Sequence, residues 1–192
     1  MTPWINKPVP FNIGQGAAVA AAPPVTSTFT WSQCISTSGE TLKPTDGGQA
    51  FGAQINASNA MIGSVLDSLD LHLNRRGTNS SNNVYVKYYP STATDPVTDT
   101  ALATSDTFAV SSLTTGGYPG TTVTFTFSSP PTISTDDFFL VETDMPYASD
   151  GSPELFTVGQ DCTDYTKLAK WHDASLQFLT DSDIVGTAEY TG

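Results

Sequence analysis

Paired acids are the plainest chemical offer of this sequence. Asp136/Asp137, Glu142/Asp144 and Asp181/Asp183 each bring two carboxylates within two residues. A glycosidase works with two carboxylates flanking a sugar bond. Successive side chains of a strand point to opposite faces, so an extended Asp136/Asp137 pair cannot converge, whereas Glu142 and Asp144 can share a face. Clustered carboxylate oxygens also suit calcium. Asp150-Gly-Ser-Pro-Glu154 and Asp181-Ser-Asp183 therefore make Asp150, Glu154, Asp181 and Asp183 calcium candidates, though neither segment follows the calcium-loop template. Solvated loop acids are the plainer expectation for all of them. The two histidines, His72 and His172, belong to no Gly-x-Ser-x-Gly or His-Glu-x-x-His motif. No catalytic residue, cofactor or enzymatic activity is expected.

Aromatic residues offer binding rather than catalysis. Tyr85, Lys87 and Tyr89 alternate along one strand and should share the face opposite Val84, Val86 and Tyr88. Such a face can pack inside the fold, meet a protein, or stack on sugar rings. Trp171, in Trp171-His172-Asp173, reads as part of a long polar loop with the same choices. These four residues form the candidate ligand or partner face. Arg75-Arg76 is the one basic pair, and it is expected to meet surface acids rather than phosphate.

The elements that must position these groups are strands. Ser and Thr supply 49 of 192 residues, charged residues only 14% and aromatics 10%. That composition excludes a charge-rich helical bundle and a wholly disordered chain. Thr, Val, Tyr and Phe pack well on pleated surfaces. Strands are predicted over 27–36, 50–55, 64–73, 84–89, 101–113, 121–127, 138–142, 155–159 and 183–190. In the third, Leu69, Leu71 and Leu73 face in while Ser68, Asp70 and His72 face out. In the sixth, Val123, Phe125 and Phe127 oppose Thr122, Thr124 and Thr126. Turn-forming runs separate them, such as Gly116-Gly117-Tyr118-Pro119-Gly120. The expected fold is all-β: an antiparallel two-sheet sandwich, jelly-roll-like, over 29–192.

The formal net charge is −12, and Asp136 to the end contributes 12 acids against two lysines. A surface of that sign repels phosphates and anionic lipid, so neither nucleic acid nor membrane is an expected partner. Cys34 and Cys162 lack the close spacing of a zinc cluster. They read as two buried thiols or as one long-range disulfide. Ala17–Val25 is too short, and too broken by Pro23 and Pro24, for a secretion core, so no signal peptide is expected.

Residues 1–28 read as an extended arm. Pro3, Pro8, Pro10, Pro23 and Pro24 forbid a long helix. Trp4, Ile5, Phe11 and Ile13 are apolar anchors that a mere linker would not need, and they are expected to assemble the chain onto a neighbouring subunit.

Several stretches carry a resemblance. Val84-Tyr-Val-Lys-Tyr-Tyr89, Thr100 to Asp106, Val110 to Thr114, Thr122-Val-Thr-Phe-Thr-Phe-Ser-Ser-Pro130 and Phe138-Phe-Leu-Val-Glu142 resemble a β-sandwich module recurrent in bacteriophage virion proteins and bacterial surface or secreted proteins. The likeness covers about residues 48–190. It implies an accessory or structural domain without shared catalytic residues. The function it suggests is a non-enzymatic virion protein of a bacterial or archaeal virus. A capsid decoration (cement) protein or small coat subunit fits best, homo-oligomeric, on the outer surface of the particle and in contact with other capsid subunits. The alternative expectation is a glycan- or receptor-binding module of tail-fibre or adhesin type.

Overall fold

The computed structural model describes residues 24–31, 38–42, 49–77, 81–144, 153–158, 166–180 and 183–192. The arm anchors Trp4, Ile5, Phe11 and Ile13 lie outside the described residues, as do Cys34, Cys162, Asp150, Asp181 and the side chain of Asp183.

The described strands are β1 (Thr26–Thr30), β2 (Ser38–Thr41), β3 (Gln49–Ile55), β4 (Val65–Arg75), β5 (Asn83–Tyr89), β6 (Ala103–Thr104), β7 (Phe108–Ala109), β8 (Thr121–Thr126), β9 (Phe138–Thr143), β10 (Pro153–Val158), β11 (Thr166–His172), β12 (Ser175–Leu179), β13 (Asp183–Ile184) and β14 (Gly186–Thr191). They form two antiparallel sheets. In the first, β1 pairs with β14 and β14 with β4. Leu73 of β4 is paired with Thr121 of β8 and with Leu155 of β10, so β8 lies on one edge of β4 while β14 and β10 share the other. β2 and β13 both pair with β10. The second sheet runs β12-β11-β3-β9-β5, with β6 and β7 along the far edge of β5.

Alternation decides what each strand buries. Leu69, Leu71 and Leu73 of β4 and Val123 and Phe125 of β8 meet Phe51, Ala53 and Ile55 of β3, Val84, Val86 and Tyr88 of β5, and Phe139 and Val141 of β9 in one core between the sheets. Trp31 joins them edge-on to Phe139, with ring centroids 5.4 Å apart. Each fully buried side chain of this size contributes about 1.5–3 kcal/mol. Thr122, Thr124, Thr126, Asp70 and His72 point away from the core, as the alternation predicts. Leu66 is buried too, although it lies three residues from Leu69. A β-bulge allows this, because β14 steps from Glu189↔Ser68 to Tyr190↔Leu66 and leaves Asp67 as the extra residue.

Several boundaries differ from the sequence reading. The strand expected over 101–113 is broken into β6, β7 and a 3-10 turn at Val110–Ser112. Ser105 is the cause. Its Oγ accepts the Val86 amide at 2.9 Å and donates to the Asp106 carbonyl at 2.7 Å. The Asp106 carboxylate then accepts the amide and the hydroxyl of Thr126. These bonds draw the chain from the second sheet across to β8. The strand expected over 183–190 is likewise divided at Val185. β2, β11 and β12 were not foreseen. Trp171 lies within β11, not in a loop.

Two glycines fix the spacing of the strands. A Cβ on Gly52 would sit 1.8 Å from the carbonyl oxygen of Phe139, and one on Gly186 would sit 2.3 Å from that of Asp70. Both obstacles are backbone and cannot swing aside. Gly52→Ala is expected to destabilise the fold by about 1–3 kcal/mol, read as a lower denaturant midpoint. An unchanged midpoint would show that β3 and β9 can move apart freely.

Candidate functional site

The second sheet is apolar on both faces, and its outward face gathers most of the residues the sequence offered for binding. Alternation sends Ala50, Gly52 and Gln54 of β3, Phe138, Leu140 and Glu142 of β9, Tyr85, Lys87 and Tyr89 of β5, and Ala169 and Trp171 of β11 away from the main core. Ala50, Tyr89, Ala93, Phe138, Leu140, Ala169 and Trp171 form a second buried cluster there, with Leu176 and Phe178 of β12 packed against it. β9 is buried over its whole length because it has a cluster on each side.

A polar triad sits in this cluster. Glu142 is 1% exposed. Its Oε2 meets Lys87 Nζ at 2.9 Å, and its Oε1 accepts the Tyr89 hydroxyl at 2.8 Å. The Tyr89 hydroxyl also lies 3.2 Å from the Pro96 carbonyl oxygen, and its ring stacks on Phe138 at 5.2 Å. Lys87 reaches over the Tyr85 ring at 5.6 Å. Register explains the meeting: Lys87 pairs with Leu140, Tyr85 with Glu142 and Tyr89 with Phe138, so Glu142 lies diagonal to Lys87 on a shared face. Burial pushes the Glu142 carboxyl above its ordinary range, against the opposing pull of Lys87 and Tyr89. Burial also pushes the Tyr89 phenol up, and the neighbouring Glu142 charge adds to that. Both Glu142 oxygens are thus engaged, one by Lys87 and one by the Tyr89 hydroxyl.

The candidate face is therefore corrected. Tyr89 is fully buried and Trp171 is 3% exposed, so neither presents a ring to solvent. Tyr85 and Lys87 remain half-buried. Glu142 and Asp144 do not converge on open space either: Asp144 accepts the backbone and side-chain amides of Asn83 at 2.6 and 3.1 Å. Asp136 stands exposed with a φ of 62°. Asp137 is buried and accepts the Tyr88 hydroxyl and the amides of Ser91 and Ser134, pinning two loops.

The remaining candidates are scattered. The buried Glu154 accepts Arg76 Nε at 3.2 Å and Thr41 Oγ1 at 3.4 Å, while its companion calcium candidates lie outside the described residues or, for Asp183, have no described side chain. Arg76 thus meets an acid, as expected for the basic pair. His72 Nδ1 lies 3.0 Å from the Pro119 carbonyl oxygen, on the outward face of the first sheet. His172 Nδ1 lies 2.9 Å from Asp173 Oδ2 at the far end of β11. Among the described residues no three His, Cys, Asp or Glu side chains gather around a common point that could hold a metal.

The β11–β12 hairpin is what sequence reasoning missed. His172 pairs with Ser175, so the loop is Asp173-Ala174, and both residues have positive φ, 50° and 59°. Two such residues make the mirror-image turn that suits a tight hairpin, usually signalled by Asn-Gly or Asp-Gly. Alanine in the second position hides the signal. Comparison of the chain with models of known families, with characterised proteins and with solved structures found no match.

The triad gives a pH dependence with a fixed sign. Because the folded-state pKa of Glu142 is raised, its protonated form favours folding. Stability from this group is fully present below the ordinary carboxyl pKa and falls as pH rises through the higher folded value. Glu142→Gln is expected to flatten that fall in denaturant midpoints measured between acid and neutral pH. Lys87→Met strands the carboxylate and is expected to cost about 3 kcal/mol at pH 7, less at acid pH. A Lys87→Met loss equal at both pH values would show that the pair is unimportant.

Proposed function

We propose that this chain is a non-enzymatic structural protein of a bacterial or archaeal virus particle, a capsid decoration (cement) protein or small coat subunit that assembles through its N-terminal arm. The observation that carries this reading is the burial of Tyr89, Glu142 and Trp171. A glycosidase or sugar-binding module presents its carboxylates and aromatic rings to solvent. In this protein the same residue types hold one face of a sheet together. Their burial supports a structural role for the best-placed candidates. What stays unabsorbed in the sequence is the arm with Trp4, Ile5, Phe11 and Ile13.

The resemblance of residues 48–190 to a module of virion proteins supports the same reading. So does charge. The arm holds Lys7 as the one charge in the first 28 residues, whereas the part from Asp136 onward is strongly acidic. A nearly neutral apolar segment suits burial against a neighbour, and an acidic surface suits the outside of a particle.

Light scattering on size-separated full-length protein tests the proposal. The wild type is expected to form a defined oligomer. Replacing Trp4, Ile5 and Phe11 together by Ser is expected to yield a monomer with an unchanged far-ultraviolet circular dichroism spectrum. A triple variant that assembles like the wild type removes the arm from assembly. Saturable glycan binding abolished by Tyr85→Ala would favour the binding-module alternative.

A further inference from the structure

The edge of the second sheet at β12 presents a problem that the described residues do not solve. β12 reads Ser-Leu-Gln-Phe-Leu, with no charge and no proline. Its Leu176 and Phe178 pack on the outer cluster, and Leu179 packs on the main core. Among the described residues it pairs on one side only, with β11. One face of β12 is therefore apolar, and the other carries exposed Ser175 and Gln177 beside Leu179. An uncharged edge strand with an apolar face is a template for another strand, and proteins cover such edges. Two edges of the first sheet differ. β1 and β8 turn exposed threonines outward, Thr26, Thr28 and Thr30 in one and Thr122, Thr124 and Thr126 in the other. A strand added there would face water on one side.

The arm contains a segment whose spacing fits β12. Read as an extended strand, Trp4–Ile13 alternates Ile5, Lys7, Val9, Phe11 and Ile13 on one side with Trp4, Asn6, Pro8, Pro10 and Asn12 on the other. In a strand the N–H groups alternate between the two edges in the same way. Every odd residue of the segment keeps its N–H. Pro8 and Pro10, both even, lack theirs. One edge of this strand can therefore pair in full, while the other is blocked at two positions. That is the combination needed to close an open sheet and stop it growing further.

We infer that Trp4–Ile13 of a second copy of this chain adds to the second sheet along β12, pairing through its odd-numbered residues. This rests on the assembly role proposed above and names its acceptor. Main-chain hydrogen bonds would supply affinity, and the apolar side chains would extend the outer cluster that Leu176 and Phe178 leave half-covered. Residues 14–25 join the segment to β1 and reach about 40 Å when extended, enough to span from one copy to the next. The sole arm charge, Lys7, meets no like charge on β12.

Two proline variants of the full chain test the inference through their parity. Val9→Pro removes an N–H from the pairing edge, and Asn6→Pro removes one from the edge already blocked. Amide hydrogen exchange of Ser175–Leu179 is read beside light scattering. Val9→Pro is expected to speed exchange in β12 about tenfold or more and to lower the assembled mass, whereas Asn6→Pro leaves both near wild type. Dilution of the wild type should speed β12 exchange in step with loss of mass. Equal effects of the two prolines, or none on β12, overturn the inference while an oligomer that still needs Trp4, Ile5 and Phe11 keeps the arm-assembly reading. Protection that obeys parity but does not change on dilution, in a protein that is always monomeric, places the strand on its own copy. That result overturns both the inference and the assembly reading.

Discussion

β9 must be covered on both faces, and the rest of the molecule follows from that. Phe138-Phe139-Leu140-Val141-Glu142-Thr143 has no exposed position. Its odd residues enter the core between the sheets, and its even residues need a second apolar layer outside. A strand at the edge could not meet that demand, so β9 lies between β3 and β5. The neighbours adapt to it. β3 places Ala50 and Gly52 on the outward face where the backbones approach closely, while β5 supplies Tyr89 to stack on Phe138.

The one ionic residue of β9 is the costly part of this arrangement. A buried carboxylate is tolerated only when charge and hydrogen bonds replace the water it loses. Lys87 does so from the diagonal position on the adjacent strand, and the Tyr89 hydroxyl reaches Glu142 along the same face from its place opposite Phe138, an arrangement that the antiparallel pairing of β5 with β9 creates. The triad consequently reports on register: shifting β5 by one residue would turn Lys87 and Tyr89 into the main core and leave Glu142 unpaired. Asp137 does comparable work at the strand's entrance, where its carboxylate holds the Tyr88 hydroxyl and two loop amides.

The two sheets differ in what they offer the surroundings. The first is apolar inward and threonine-rich outward, the usual pattern for an antiparallel sheet with one wet face. Its acids are tied to hydroxyls, as in Asp70 with Thr124 and Asp67 with Thr191, each at 2.5 Å. The second is apolar on both sides and ends in an uncharged strand.

Strand identity in the well-alternating segments was legible in the sequence because burial there depends on period alone. Leu69, Leu71 and Leu73, and Val123, Phe125 and Phe127, declare their face by spacing, and turn residues mark their ends. The all-β class and the two-sheet sandwich follow from that pattern. Pairing partners were not legible, since alternation says which way a side chain points and not what it meets. Tyr89 read as a candidate for solvent because its face was known and its cover was not, and Trp171 because its strand read as a loop. The β11–β12 hairpin was hidden by alanine at a left-handed position, and the broken strand after Leu102 by hydrogen bonds from Ser105 and Asp106 to residues about 20 positions away. What the sequence determined was each strand's period and the two-faced burial of β9. Only the tertiary structure decided that Glu142, Lys87 and Tyr89 meet, because their contact comes from strands 53 residues apart brought into antiparallel register.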